Sequence, residues 1–226
     1  MERVIIRDQV LNWTMGEYAH INVRVPEGES VTVNWGDGQS TTHSGRLTDI
    51  EFHHKYYKSY KESESFVEIS IEAEHILSVG DRSMDMERIM FDGSQAPSLE
   101  NVEYPWAEQV NIDGCTHLQT LNIRGFRGRE LKLPNLSAIN SLLLFDANKL
   151  QLLDITQCPI LKEVNIANTR ALKRLNVSND SRIQKLTVSK LSLENISPIC
   201  LTVLKNIIQR NDGEIIDFYE FMKEIE

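Results

Sequence analysis

Through the second half of the chain, two apolar residues flank a variable one in a triplet that keeps returning. It occurs as Val110-Asn111-Ile112, Leu121-Asn122-Ile123, Leu131-Lys132-Leu133, Leu142-Leu143-Leu144, Leu153-Asp154-Ile155, Val164-Asn165-Ile166, Leu175-Asn176-Val177 and Leu186-Thr187-Val188. The interval is eleven residues, except for the step into Leu131, which is one short. Each triplet predicts a short strand with its flanking side chains inward and its middle one outward. A register held this long marks a repeat array, in which no unit buries its apolar face alone and stacking supplies a continuous core.

The first eighty residues alternate instead. His20-Ile21-Asn22-Val23-Arg24-Val25 and Ser30-Val31-Thr32-Val33-Asn34-Trp35 place every second side chain on one buried face, and Pro26-Glu27-Gly28-Glu29 between them has turn chemistry, which predicts a hairpin. Trp35-Gly36-Asp37-Gly38 closes the second run, with two glycines able to take positive φ. A third run, Phe66 to Ala73, follows a hydrophilic stretch from Lys58 to Ser65. Several short strands separated by turns predict a small β-sandwich.

After Ser197-Pro198, an N-cap with proline in the first turn, the pattern becomes helical: Ile199, Leu201, Val203, Leu204, Ile207 and Ile208 precede a stop at Asn211-Asp212-Gly213. A second amphipathic helix is predicted over 214–225, with Ile215, Phe218, Tyr219, Met222 and Ile225 on one stripe. Together these helices suit a cap that shields the last coil, although a helix that docks on a partner has the same pattern. Weaker triplets, Ile89-Met90-Phe91 and Val102-Glu103-Tyr104, predict atypical first coils, and Gly80-Asp81-Arg82-Ser83 is the expected join.

Composition narrows the functional classes. The net charge of −9 over 226 residues disfavours nonspecific nucleic-acid binding, although residues 160–198 hold 7 basic and 3 acidic side chains and are locally basic. No apolar run is long enough to span a membrane, so no membrane insertion is expected. The opening Met1-Glu2-Arg3-Val4-Ile5-Ile6-Arg7-Asp8 breaks for charge too early for a signal-peptide core. That favours the cytoplasm if Met1 is the native start, and the cell envelope or surface if a leader has been removed. Cys115, Cys158 and Cys200, odd in number and far apart, read as buried apolar residues rather than a disulfide framework.

Catalytic patterns are absent from the sequence: there is no Gly-x-Ser-x-Gly, no phosphate-binding glycine loop and no His-Glu-x-x-His. His43, His53 and His54 form the densest histidine cluster, but no thiol or acid stands at ligand spacing beside them. The expectation is a protein that is not an enzyme and carries no cofactor or metal.

Two resemblances give these patterns names. A Val-Thr-Val strand, the Trp35-Gly36-Asp37-Gly38 turn, His54-Lys55-Tyr56 and an alternating last strand together resemble a PKD-type domain, an immunoglobulin-like sandwich. That resemblance implies mainly structural roles for the turn and the His-x-Tyr pair. The segment from Leu150 to Ile166, echoed by Leu172-Lys173-Arg174-Leu175-Asn176-Val177, is similar to the leucine-rich repeats of Bacteroidetes-type proteins, in which such repeats often follow a PKD-like domain. In such repeats the eighth position after the first leucine turns inward. Here that position is Cys115, Cys158 and Asp180. Two arms of eleven residues then make one coil of about 22 residues.

The expected architecture is mostly β: an immunoglobulin-like β-sandwich over residues 1–79, a leucine-rich repeat solenoid over 80–196 and a C-terminal helical cap over 197–226. Outward positions on one series of arms are Asn122, Leu143, Asn165 and Thr187, followed by Arg124, Phe145, Ala167 and Ser189. Leu143 beside Phe145, with Arg124 one coil earlier, has the composition of an interface hot spot, so Asn122, Arg124, Leu143, Phe145 and Asn165 form the candidate site for a protein partner. Two functions fit: an interaction module of the bacterial envelope, or a cytoplasmic immunity-type inhibitor that covers the active site of a basic toxin.

Overall fold

The computed structural model describes residues 1–10, 17–44, 49–56, 66–81, 86–105, 107–188 and 196–217. The described residues are mostly β-strand, with one α-helix. The chain divides into two compact units, Met1–Cys115 and Thr116–Glu226.

In the first unit the strands are β1 (Glu2–Val10), β2 (Glu17–Arg24), β3 (Val31–Asn34), β4 (Ser40–His43), β5 (Asp49–Tyr56), β6 (Phe66–Ala73), β7 (Ser78–Asp81), β8 (Met86–Gln95), β9 (Asn101–Pro105) and β10 (Gln109–Asn111). One sheet has the order β10-β8-β1-β6-β3-β4, and a second runs β9-β7-β2-β5. Each sheet buries one face: Val4, Ile6, Val31, Val33, Ile69 and Ile71 in the first, Ala19, Ile21, Val23, Ile50 and Phe52 in the second.

The predicted hairpin does not form. β2 pairs with β5 and β7, whereas β3 pairs with β4 and β6, so the two runs lie in different sheets. Pro26 to Glu29, closed by a bond from Glu29 N to Pro26 O (3.2 Å), carries the chain between sheets. Alternation fixes which face is buried, and Val25 and Val31 are both buried on either side of this crossing.

At the end of β3 several side chains converge. Gly36 and Gly38 have φ of 80° and 89°, and a Cβ on Gly36 would lie 2.7 Å from Glu68 O, so only glycine fits there. Asp37 accepts from Gln39 N (3.0 Å) and pairs with His54 Nε2 (2.8 Å), whose ring stacks on Trp35 at 4.8 Å. Tyr56 donates to Trp35 O at 2.7 Å. Glu2 fastens the first strand from its other end, accepting from Ile76 N (2.7 Å) and Ser98 N (2.9 Å).

The same unit also changes from antiparallel to parallel pairing. β7 pairs with β9 in parallel (Val79↔Val102), and β8 with β10 (Phe91↔Val110), while β7 and β8 also pair antiparallel with β2 and β1. Gly80 and Asp81, expected in a join, are buried residues of β7.

The second unit is solenoid-like, with two parallel sheets. One contains β11 (Thr120–Arg124), β13 (Ser141–Phe145), β15 (Glu163–Ala167) and β17 (Lys185–Val188), and the other contains β12 (Glu130–Lys132), β14 (Leu152–Asp154) and β16 (Arg174–Asn176). Leu121, Leu142, Val164 and Leu186 stack in register in the first, and Leu131, Leu153 and Leu175 in the second. The successive triplets therefore fall alternately on two sheets. Backbone bonds link the coils at their corners: Asn140 N to Gln119 O, Lys162 N to Asn140 O and Gln184 N to Lys162 O, at 2.9–3.0 Å.

Inward positions hold Cys158, whose Sγ lies 3.6 Å from Pro134 O, and, in the first unit, Cys115, 3.2 Å from Gly93 O. The third predicted member, Asp180, is exposed and bonds to Ser178, and Ser181 takes the buried place instead. The loop is one residue longer before that slot: Ser181 N bonds to Ser178 O as Cys158 N bonds to Ile155 O. A carboxylate in the slot would lose more hydration on burial than a hydroxyl does.

The helix α1 (Pro198–Arg210) begins where the sequence places it, with the Ser197 side chain accepting from Cys200 N at 3.4 Å. Leu204, Ile207 and Ile208 are its buried stripe, and it lies beside β16. Arg210 donates to Asn179 O (2.6 Å) and Ser181 O (3.0 Å), and Asn211 Nδ2 to Ser181 O and Ile183 O (3.0 Å each).

The predicted second helix is corrected at its start. Glu214–Asp217 is a strand, β18, parallel to β17 with Leu186↔Ile215 and Thr187↔Ile216. Two consecutive β-branched residues favour a strand, and the edge of β17 offers unpaired backbone groups, so pairing outweighs the helical pattern. Gly213 permits the approach, because any Cβ there would collide with the Gln184 backbone. Residues 218–226, with Phe218, Tyr219, Met222 and Ile225, lie outside the described residues.

Candidate interaction surface on the parallel arms

Parallel pairing places outward side chains in rows across the second unit's first sheet. Asn122, Leu143, Asn165 and Thr187 form one row through the register Asn122↔Leu143↔Asn165↔Thr187. Arg124, Phe145 and Ala167 form the next. All five candidate residues, Asn122, Arg124, Leu143, Phe145 and Asn165, thus lie on three consecutive strands. Ser189 lies outside the described residues.

The rows are not evenly exposed. Arg124 is exposed, Asn122, Leu143, Phe145 and Asn165 are half-buried, and Ala167 and Thr187 are buried. Asn165 Oδ1 is shielded from solvent with no hydrogen-bond partner among the described residues. The accessible part of the surface therefore lies on β11 and β13 and reaches β15 only at Asn165. The most exposed large apolar side chains among the described residues are elsewhere: Met1, Tyr18, Phe66 and Ile199.

A second column, at the C-terminal end of these arms, escapes the sequence reading. Gly125, Asp146 and Asn168 each follow a strand and each has positive φ, at 69°, 57° and 54°. Gly125 N donates to Phe145 O (2.6 Å) and Asp146 N to Ala167 O (3.0 Å). Asn168 Nδ2 bonds to Asp146 Oδ1 at 2.9 Å, and Arg124 Nε lies 3.7 Å from Asp146 Oδ2. Glycine, aspartate and asparagine are the residues that tolerate the left-handed region, so their recurrence after each strand was the available signal. The column ties the Arg124 guanidinium to the end of the Phe145 strand.

On the opposite sheet, Lys132, Asp154 and Asn176 make the outward row. Burial pushes the Asp154 carboxyl upward, but bonds from the Thr156 hydroxyl (2.6 Å) and amide (3.1 Å) and from Asn176 (3.1 Å) outweigh it and hold its pKa below the usual value. This row is a polar ladder that satisfies its own loops.

The thiols are chemically quiet. Burial pushes Cys115 up to about 12 and Cys158 up to about 11, so neither forms a thiolate nucleophile near neutrality. Cys200, expected to be buried, is half-exposed on α1.

The three histidines of the sequence cluster separate. His43 packs edge-on against Phe52 at 5.0 Å, and His54 is held by Asp37 and Trp35. His53 instead meets His20 and Glu51: its ring centroid is 4.2 Å from that of His20, and its Nε2 is 3.8 Å from Glu51 Oε2. Among the described residues no helix is long and apolar enough to cross a membrane. Comparison of the chain with protein-family models, with curated proteins and with solved structures yields no match.

Proposed function

We propose that the chain is a noncatalytic protein-interaction module, an immunoglobulin-like PKD-type sandwich followed by a leucine-rich repeat solenoid with a C-terminal cap, which holds a protein partner on its outward arm surface. The observation that carries this reading is the pairing of Leu143 with Asn122 and of Phe145 with Arg124 on adjacent parallel strands. An apolar and aromatic pair flanked by an arginine and an amide, on a hydrogen-bonded sheet, loses little conformational freedom on binding. The anchors are Leu143 and Phe145, Arg124 supplies charge-assisted bonds at their edge, and Asn122 and Asn165 supply polar contacts.

The resemblance to Bacteroidetes-type proteins favours a place at the bacterial envelope. A second reading, a cytoplasmic immunity-type inhibitor, draws on the net charge of −9, which complements a basic toxin or nuclease. Affinity capture from native lysate, comparing wild type with Leu143→Ala/Phe145→Ala, tests the surface. The folded double variant should lose the partner, and unchanged capture refutes the patch. Fractionation of native cells separates the two settings.

A further inference from the structure

We propose that His20, Glu51 and His53 form a binding site for a divalent transition-metal ion of the zinc type on the outer face of the β2–β5 pair. His20 and His53 are direct cross-strand partners, and Glu51 is two residues before His53, so the strand period puts all three side chains on one face. The opposite face carries Ala19, Ile21, Phe52 and Ile50, all buried, which fixes the orientation of this one.

The donor atoms converge. One ligand atom from each residue lies within 4.8 Å of the other two. Glu51 Oε2 is 4.0 Å from His20 Nε2 and 3.8 Å from His53 Nε2. A tetrahedral ion with bonds of about 2.0–2.2 Å needs its ligands roughly 3.3–3.5 Å apart, so small side-chain rotations close the site. Glu51 and His53 are exposed and His20 is half-buried, which leaves two ligands free to rotate and one anchored.

Two imidazoles and one carboxylate suit zinc, copper or nickel better than calcium or magnesium, which prefer all-oxygen shells. Three protein ligands leave a fourth position for water or a donor from a partner. Among the described residues the other histidines offer no such set: His54 is engaged by Asp37, His75 by Glu29 at 2.8 Å, and His117 Nδ1 lies 3.4 Å from Thr116 Oγ1. His43 faces the Phe52 ring.

Calorimetric titration of the intact chain with zinc chloride alone, at neutral pH and in a non-chelating buffer, tests the site. One equivalent should bind. His20→Ala and His53→Ala should each weaken binding by at least about tenfold and Glu51→Gln by several-fold, while His75→Ala leaves it unchanged. Proton NMR should show zinc-dependent shifts for two imidazole rings and not for the His75 or His54 ring. The far-ultraviolet circular dichroism spectrum of each variant verifies its fold, and the NMR experiment on wild type needs no variant. The absence of binding at millimolar zinc, full binding by His20→Ala/His53→Ala, or an equal loss in His75→Ala overturns the assignment.

Discussion

Truncating Leu153 to alanine tests the stacked core most directly. Leu153 is fully buried at the centre of β14, in register with Leu131 on one side and Leu175 on the other. Removing three carbons forfeits about 2–2.5 kcal/mol of transfer free energy at roughly 0.8 kcal/mol per methylene. The cavity adds to this, because both neighbours are held by strand pairing and cannot move into the gap, and buried Leu→Ala changes cost about 2–5 kcal/mol altogether. The expected loss is about 3–4.5 kcal/mol, in the upper part of that range, because one truncation weakens two coil interfaces. Urea unfolding followed by circular dichroism measures it, provided the slope with denaturant is unchanged. The natural comparison is Asn165→Ala, also on a central arm but with its side chain outward, which should cost within about 0.5 kcal/mol. If the two variants lose the same amount, or Leu153→Ala loses less than about 1 kcal/mol, the inward assignment of the triplets is wrong.

Other expectations concern single contacts. Tyr56→Phe leaves the buried Trp35 carbonyl without its 2.7 Å donor and should cost about 1–3 kcal/mol by the same unfolding assay; a neutral result means that water replaces the hydroxyl. In the native protein a thiol reagent near pH 8 should label Cys200 first and leave Cys115 and Cys158 protected until denaturant is added, and fast labelling of Cys158 contradicts its burial. Asn165→Leu should be neutral or stabilising, because it removes a shielded carbonyl that has no partner among the described residues, and a loss above about 1 kcal/mol reveals a partner for that oxygen.

The Glu29–His75 pair should produce a pH window. Burial pushes Glu29 upward, but the His75 bonds and charge outweigh it and lower its pKa, whereas the bond to Glu29 raises that of His75. The Glu29 contribution is lost as pH falls through its lowered value, and the His75 contribution is lost as pH rises through its raised one. The difference in melting temperature between wild type and His75→Ala should therefore be greatest between the ordinary values of 4.5 and 6.5 and shrink on both sides. A difference that grows steadily with alkalinity reverses the sign and refutes the pairing.

The repeats were legible because a period depends on many residues agreeing, and the alternation of Leu121, Leu131, Leu142 and Leu153 between two sheets follows from it directly. Partner choice between strands was not legible. The runs at Ile21 and Val31 show their buried faces plainly, yet nothing local tells whether they pair with each other or cross to opposite sheets. β1 went unrecognised because Ile5 interrupts the alternation of Val4, Ile6 and Asp8, although all three of these are buried. At Ile215-Ile216 an amphipathic stripe pointed to a helix, and a sheet edge made the strand instead. The candidate rows on β11 and β13 could be read from the register, but the burial of Ala167 and Thr187 depends on tertiary cover that no local pattern encodes. Glu51 and His53 share a face of β5 by the strand period alone, but His20 joins them only through the pairing of β2 with β5, which spacing along the chain conceals.

The corner bonds that run from Gln119 through Asn140 and Lys162 to Gln184 continue to Glu214, whose amide donates to Gln184 O at 2.7 Å. On the other side Ser197 N takes the Lys173 carbonyl at 2.9 Å, just as Lys173 N takes that of Gln151. The final turn of the array therefore keeps the hydrogen-bonded step of the others although it is longer, running from Gln184 to Glu214 where the previous one runs from Lys162 to Gln184, with α1 inside it. Coil size in this protein is set by where the corners bond and not by how much chain lies between them. The unit is in that sense a scaffold that accepts extra chain within a coil as long as the corner bonds at Asn211 and Glu214 are kept.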